Sequence, residues 1–383
     1  ALLWIALILL KCRTRMIKVV HIHTDLKFIS GTHDFEGEIF ENSIILISNN
    51  SDARTSMSEN PKEWFLYDYS IKSVNEIIRI CSCVDLVVLY DLNFIKCVIA
   101  MKLPLNIKVA WRFFGYELYG REHELYLSQL SLEANKMSFY QKAKDKLSDI
   151  VVSIIGLINW GYQERQLFDS ALNRIDYFLG FSKEEYDYLY KRWNELPCFI
   201  QLPLNPPSVL DPAILKKRSQ VIISNNKTVY NNSLDIIKIV ESAKIEEKIQ
   251  FVLLFNYGPE TNYSREVLKA VKDRKHFTVI LDYLSSDEFT NLYQGTSAAV
   301  FNVYRQMALG NIFICLVSGV KLYLNKTNII MHWLISRGFI VSSIDKLSED
   351  LGKDDIELSA EEKRHNYDKY QELALRYSKE DFQ

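Results

Sequence analysis

"FNVYRQMALGNIFICLVSGVKLYLN" (residues 301–325) is the stretch on which the fold assignment turns. It continues an apolar run, AAVFNVY at 298–304, with the length and composition of a buried strand. A polar joint follows, carrying Arg305, Gln306, Gly310 and Asn311. Next comes an apolar run of helical length, and then a second short apolar run, VKLYLN, that closes at Asn325. Strand, helix and strand in succession is the unit from which parallel sheets with helix-covered faces are built.

The same rhythm extends in both directions. Upstream, QVIIS (220–224), IQFVLLF (249–255) and FTVILDYL (277–284) read as strands separated by helical stretches, and FIVSS (339–343) follows downstream. An earlier series begins with IKVVHIH (17–23) and continues through SIILIS (43–48), EWFLYDY (63–69), DLVVLYD (85–91), IKVAWRFFG (107–115) and RIDYFLG (174–180). After RIDYFLG, Ser182 with Glu185 three positions later marks a helix start. Between the two series lie four prolines, Pro203, Pro206, Pro207 and Pro212, which break regular structure and mark a linker. The expected fold class is α/β, two doubly wound Rossmann-like domains facing across a cleft. The first spans 16–204 with a helical insertion at about 122–173, the second spans 205–350, and a helical tail occupies 351–383.

Bulk properties agree with two globular domains. The chain has 383 residues, 48% hydrophobic and 25% charged, with 46 basic against 48 acidic side chains. That balance, with no basic arm and no zinc-finger spacing, argues against a nucleic-acid partner. The six cysteines form no C-x-x-C pair and sit mostly in apolar runs, the pattern of reduced thiols in a cytoplasmic protein. ALLWIALILL (1–10) is too short to span a bilayer, and its basic residues follow the apolar run instead of preceding it. Residues 1–15 are therefore read as lying outside the fold. Within the insertion, Lys136, Lys142, Lys144 and Lys146 precede an apolar segment. That arrangement suits peripheral contact with anionic lipid on the inner face of a membrane, and equally a solvated face beside a core helix.

In an open parallel sheet, ligands bind where strands run into the helices that follow them. Three such loops of the second series are unusually polar: SNNKTVYNNSLD (224–235), NYGPETNYS (256–264) and YRQMALGNI (304–312). A helix opening near Gly310 would offer free backbone N–H groups and a partial positive charge to a diphosphate. Arg305 would add a planar cationic fork. Gln306 and Asn311 can hydrogen-bond a sugar or a base, and Asn225, Asn226, Asn232, Tyr257 and Asn325 are further candidates for the binding of a donor. Asn231, Asn232 or Ser233 would cap the helix after the first loop.

In the first series, Glu117 and Asp25 each follow a strand, and either carboxylate could take a proton from an acceptor hydroxyl on a domain rim. His23, Arg112 and Gly115 lie beside them on this acceptor side. The blander alternative makes these residues surface charges, turns and caps. No G-x-G-x-x-G, G-K-[ST] or G-x-S-x-G motif occurs, and the seven histidines show no metal-ligand spacing. Neither a metal nor another cofactor is expected.

Several of these elements together resemble the bacterial Fuc4NAc transferases (glycosyltransferase family 56), which act on lipid-linked intermediates of enterobacterial common antigen. The resemblance runs from about Ile17 to Leu351 and is weaker across the insertion. It rests on FFGYELY with Glu117 in the place of an aspartate, on SNNKTVYNNS, on FNYGPE, on RQMALG and on KLYLN. Here Ser224 and Ala308 stand where the family has glycines, Ser233 where it has histidine, and Met307 where it has glutamine. The resemblance implies the GT-B architecture, with an acceptor half first, a nucleotide-sugar half second, and no metal. It further implies transfer of a deoxy-amino sugar from a dTDP- or UDP-linked donor to a polyprenyl-diphosphate-linked glycan. The departures keep a second reading in play, a non-catalytic glycan- or partner-binding protein on a degenerate scaffold. A two-domain nucleotide-sugar epimerase is a third.

Overall fold

The computed structural model describes residues 16–49, 64–136, 164–204, 218–243, 245, 249–353, 355–378 and 382. Residues 1–15, most of the insertion with Lys142, Lys144 and Lys146, and most of the proline linker lie outside the described residues. The chain divides into two compact units.

The first unit is built on a seven-stranded sheet: β1 (Ile17–His23), β2 (Phe40–Ile47), β3 (Trp64–Tyr67), β4 (Leu86–Tyr90), β5 (Lys108–Arg112), β6 (Tyr177–Gly180) and β7 (Cys198–Gln201). Their order is β3-β2-β1-β4-β5-β6-β7, and every neighbouring pair is parallel. The strand cores are almost wholly apolar because helices cover a parallel sheet on both faces. Val19, Ile22, Ile45, Val87, Val88 and Trp111 are fully buried or nearly so. β7 is not among the strands read from the sequence. It is an edge strand hydrogen-bonded to β6, and Pro203 lies just beyond its end, where the missing N–H costs the ladder nothing.

The second unit carries six parallel strands: β8 (Arg218–Ile223), β9 (Gln250–Leu254), β10 (Phe277–Ile280), β11 (Thr296–Phe301), β12 (Lys321–Leu324) and β13 (Ser342–Ser343). Their order is β10-β9-β8-β11-β12-β13. Val221, Ile223, Phe251, Leu253 and Val300 meet Ile237, Val240 and Val267 from the flanking helices in one core. The tail helix, Ala360–Arg376, belongs to this unit and sets Tyr370 against Phe313, with ring centroids 5.5 Å apart.

Two segments fall otherwise than the strand-helix rhythm suggests. Leu118 to Lys136, of which the part from about residue 122 was read as the start of an insertion in the first domain, clusters with the second unit, while the helix Glu164–Arg174 lies between β5 and β6 in the first. Near the end of the tail, Phe382 packs edge-on against Phe35 of the first unit's core. Side-chain pairing decides both placements, and periodicity is blind to it.

Candidate functional site

Both sheets reverse their winding at the central pair: β1/β4 in the first unit and β8/β11 in the second. Crevices at such switch points are where open α/β sheets take ligands.

In the second unit the loops after β8 and β11 are tied together at their roots, where the Ser224 N–H donates to the Val300 carbonyl. Ser224 and Ala308 both adopt the left-handed conformation, with φ of 65° and 62°. These are the two positions at which the resembled family has glycine. The backbone geometry that glycine permits is retained without it, at a cost of about 1–2 kcal/mol for each L-residue.

Ala308 directly precedes the helix Leu309–Val317, and no side chain caps that helix start. A Cβ built on Gly310 would meet only open space. The first turn therefore presents backbone N–H groups that neither a cap nor packing at Gly310 occupies. Arg305 is 7% exposed, its guanidinium 5.2 Å from the centre of the Tyr119 ring and 4.8 Å from that of Tyr230. Gln306 is buried beside it and accepts from Arg305 Nη1 through its carbonyl at 3.4 Å.

Along the loop after β8, Asn225 and Asn226 each donate through Nδ2 to the Tyr257 hydroxyl, at 3.3 and 3.2 Å. The Oδ1 of Asn225 is buried without a hydrogen-bond partner among the described residues, and so is that of Asn256 at the end of β9. Buried polar groups usually find a partner, so two open acceptors on neighbouring loops single out this place.

Other expected donor-site residues hydrogen-bond within the chain. Asn226 Oδ1 accepts from Thr228 N, Thr228 Oγ1 and Asn231 Nδ2, which closes an Asx turn. Asn325 does the same for Thr327 and donates to Asn302 at 2.8 Å. Asn311 donates to the buried Tyr293 hydroxyl at 2.7 Å.

Asn232 does not cap its helix through its side chain. It is fully buried, left-handed at φ 46°, accepts from Ser128 N at 2.7 Å and donates to the carbonyls of Asn302 and Tyr126. The partners Ser128, Tyr126 and Asn302 were absent from the sequence reading. No local pattern links residues 70 to 106 positions apart.

In the first unit the switch point holds a cluster that sequence reasoning missed. Lys96 is fully buried and donates from Nζ to Asp91 Oδ1 at 2.8 Å, to Thr24 Oγ1 at 3.0 Å and to the Tyr90 carbonyl. Burial lowers its pKa, and the Asp91 carboxylate works in the opposite direction. Asp91 is itself left-handed, at φ 72°. Its position directly after the strand DLVVLY is the one cue the sequence offered.

Glu117 sits in the single helical turn Tyr116–Tyr119 and is buried, instead of standing exposed on a rim. Its Oε1 accepts from Trp111 Nε1 at 3.2 Å and from Phe114 N at 3.3 Å, while Oε2 has no partner among the described residues. Burial, reinforced by Asp91, pushes its pKa up to about 7. Gly115, just before it, has φ 97°, a conformation glycine takes without strain.

His23 ends β1 wholly buried, stacked on Tyr90 at 3.8 Å, with neither ring nitrogen hydrogen-bonded among the described residues. Burial, with the positive groups around it, lowers its pKa to about 2. Arg112 pairs with Asp34 and donates to the Gly31 carbonyl at 3.2 Å, so its charge is already engaged. Asp25 is exposed. Among the described residues, no group of three or more His, Cys, Asp or Glu side chains gathers as a metal site, and no helix is long and apolar enough to cross a membrane.

No protein-family model matches the chain, and no curated protein matches it. Solved structures do. HepE from Anabaena, in complex with UDP-glucose, superposes with a TM-score of 0.61 at 9% identity, covering 96% of this chain and 97% of that one. Sucrose-phosphate synthase from Thermosynechococcus elongatus gives 0.59 at 9% identity, covering 96% of each chain. The lipopolysaccharide outer core galactosyltransferase WaaB gives 0.54 at 9% identity, over 94% of this chain and 96% of that one. With two all-parallel sheets wound about central switch points, the chain has the fold of the GT-B glycosyltransferases.

Proposed function

We propose that this chain is a glycosyltransferase that takes its sugar from a nucleoside-diphosphate donor held by the second unit. The observation that carries the reading is the open start of the helix Leu309–Val317, with Arg305 on the same loop and the orphan acceptors of Asn225 and Asn256 on the loops beside it. HepE, of the same fold, was solved with UDP and with UDP-glucose, which supports the nucleotide-sugar class.

In the reaction an acceptor hydroxyl oxygen bonds to the anomeric carbon, the bond from that carbon to the diphosphate oxygen breaks, and the nucleoside diphosphate leaves. Negative charge grows on the leaving diphosphate. The helix start and Arg305 are fixed in place before that charge develops, which is how preorganised groups lower a barrier. The acceptor hydroxyl must lose a proton if the configuration inverts. Glu117, with its pKa near neutrality, is the leading base, and Asp25 is the other.

The resemblance to the Fuc4NAc transferases refines the proposal. The donor would be a dTDP-linked deoxy-amino sugar, the acceptor a polyprenyl-diphosphate-linked glycan, and the reaction metal-independent at the cytoplasmic face of a membrane. The test is calorimetric titration of the full chain with dTDP and UDP. Wild type should bind at least one of them. Arg305→Gln should bind that nucleotide about tenfold or more weakly, since a charge-assisted contact is worth about 1.5–3 kcal/mol. Unchanged binding in the variant would discard the site.

A further inference from the structure

We infer that Tyr119 and Tyr230 form an aromatic clamp that holds the Arg305 guanidinium in place for a diphosphate, which makes Tyr119 a positioning residue of a site 186 positions downstream of it. The inference rests on the donor reading above and adds to it the element that fixes the cation.

Two rings lie within stacking range of one guanidinium, at 5.2 and 4.8 Å. Attraction between a cation and a ring face acts at these distances. A guanidinium carries five N–H donors in its plane, one of which here meets the Gln306 carbonyl, and a ring against the face of the cation does not compete with them. A free arginine would lose rotamer freedom on binding, and one clamped beforehand loses less. Tyr119 is itself only 2% exposed, so it acts through Arg305 and not on a ligand.

Tyr119 is held in turn. Tyr126 meets it edge-to-face, with centroids 4.9 Å apart at 83°. The Tyr126 carbonyl accepts from Asn232 Nδ2 at 3.3 Å, and Ser128 N, two residues on, donates to Asn232 Oδ1 at 2.7 Å. Ser128 then caps the helix Gln129–Ala134, its Oγ accepting from Ser131 N at 3.1 Å. Asn232 belongs to the loop after β8 that also carries Asn225 and Asn226. One buried lock thus fixes the clamp to the loop bearing an orphan acceptor.

The experiment titrates dTDP, dTMP, UDP and UMP into the full chain as wild type, Tyr119→Phe, Tyr119→Leu, Tyr230→Phe, Tyr230→Leu and Arg305→Gln, with a melting curve for each. The Phe variants keep the ring and should bind like wild type. The Leu variants lose it and should bind diphosphates about tenfold more weakly, with a much smaller loss for monophosphates. In an Arg305→Gln background, Tyr119→Leu should cause no further loss.

Leu variants with wild-type diphosphate affinity would overturn the clamp alone. So would equal losses for mono- and diphosphates, the result expected of a merely structural tyrosine. A wild type indifferent to all four nucleotides would overturn the donor reading and the clamp with it. If Tyr119→Leu fails to fold, the partly exposed Tyr230→Leu decides the matter.

Discussion

The first unit should lose stability in acid, and its buried histidines should account for the loss. His21 and His23 are both fully buried at the centre of the sheet, with pKa values lowered to about 4 and about 2, chiefly by burial. A histidine depressed in the folded state stabilises fully above its unfolded pKa of about 6.5, and that stability drains away as pH falls from there toward the folded value. At pH 5 both would be protonated in the unfolded chain and neutral in the folded one. At about 1.4 kcal/mol per pH unit, the pair then costs about 4 kcal/mol relative to pH 7.

Glu117 works the other way. Its carboxyl is raised from 4.5 to about 7, so the folded state holds a proton that the unfolded state releases between those values. Its destabilising effect is largest at and above pH 7, and moving to pH 5 relieves about 2 kcal/mol of it. The histidines win, and the net loss between pH 7 and pH 5 is about 2 kcal/mol. Urea denaturation at a series of pH values, followed through the buried Trp111 of this unit, measures it. His23→Phe, which keeps a ring stacked on Tyr90, should roughly halve the histidine contribution. Glu117→Gln should deepen the net loss toward about 4 kcal/mol. A wild-type curve that is flat from pH 7 to pH 5, or a His23→Phe curve parallel to it, would refute the assignment.

Three further outcomes are expected. Ala308→Gly relieves the left-handed alanine and should stabilise the second unit by about 1 kcal/mol, after the entropy that glycine costs is deducted; chemical denaturation reads it, and a destabilised variant would contradict the backbone geometry. Lys96→Met leaves the Asp91 carboxylate without its buried cation and should cost about 3–5 kcal/mol, most of which Lys96→Met/Asp91→Asn should recover; a double variant as unstable as the single one would show that the pair is not the source. Asn232→Ala removes the bonds to Ser128, Tyr126 and Asn302 and should cost about 3 kcal/mol, with hydrogen exchange accelerating first in the helix Gln129–Ala134; unchanged protection there would rule out the lock.

The candidate site was legible in part. The helix start beside Arg305 and Gly310 was readable because it stands at a joint between two strongly apolar runs. Ser224 and Ala308 were readable only as departures from a family's glycines; the structure adds that both keep the left-handed backbone. Asn226, Asn232, Asn311 and Asn325 were read as ligand groups, and the structure shows each of them hydrogen-bonded within the chain. A polar side chain in a loop looks the same in sequence whether its bonds go to the chain or to a ligand. The Lys96–Asp91–Thr24 cluster escaped notice because a lysine on an apolar helix reads as solvated until its partners from β1 and β4 are seen.

What the sequence settled by itself is the succession of strands and helices and the parallel winding of two sheets, because burial on both faces writes itself into every short apolar run. Only the tertiary structure decided which unit claims Leu118 to Lys136, which asparagines are spent on the fold, and which charges lie buried. Those outcomes depend on partners distant in the chain: Ser128 with Asn232, Tyr119 with Arg305, Thr24 with Lys96. No periodicity records such pairings, since each becomes favourable only once the sheet has brought its two halves together.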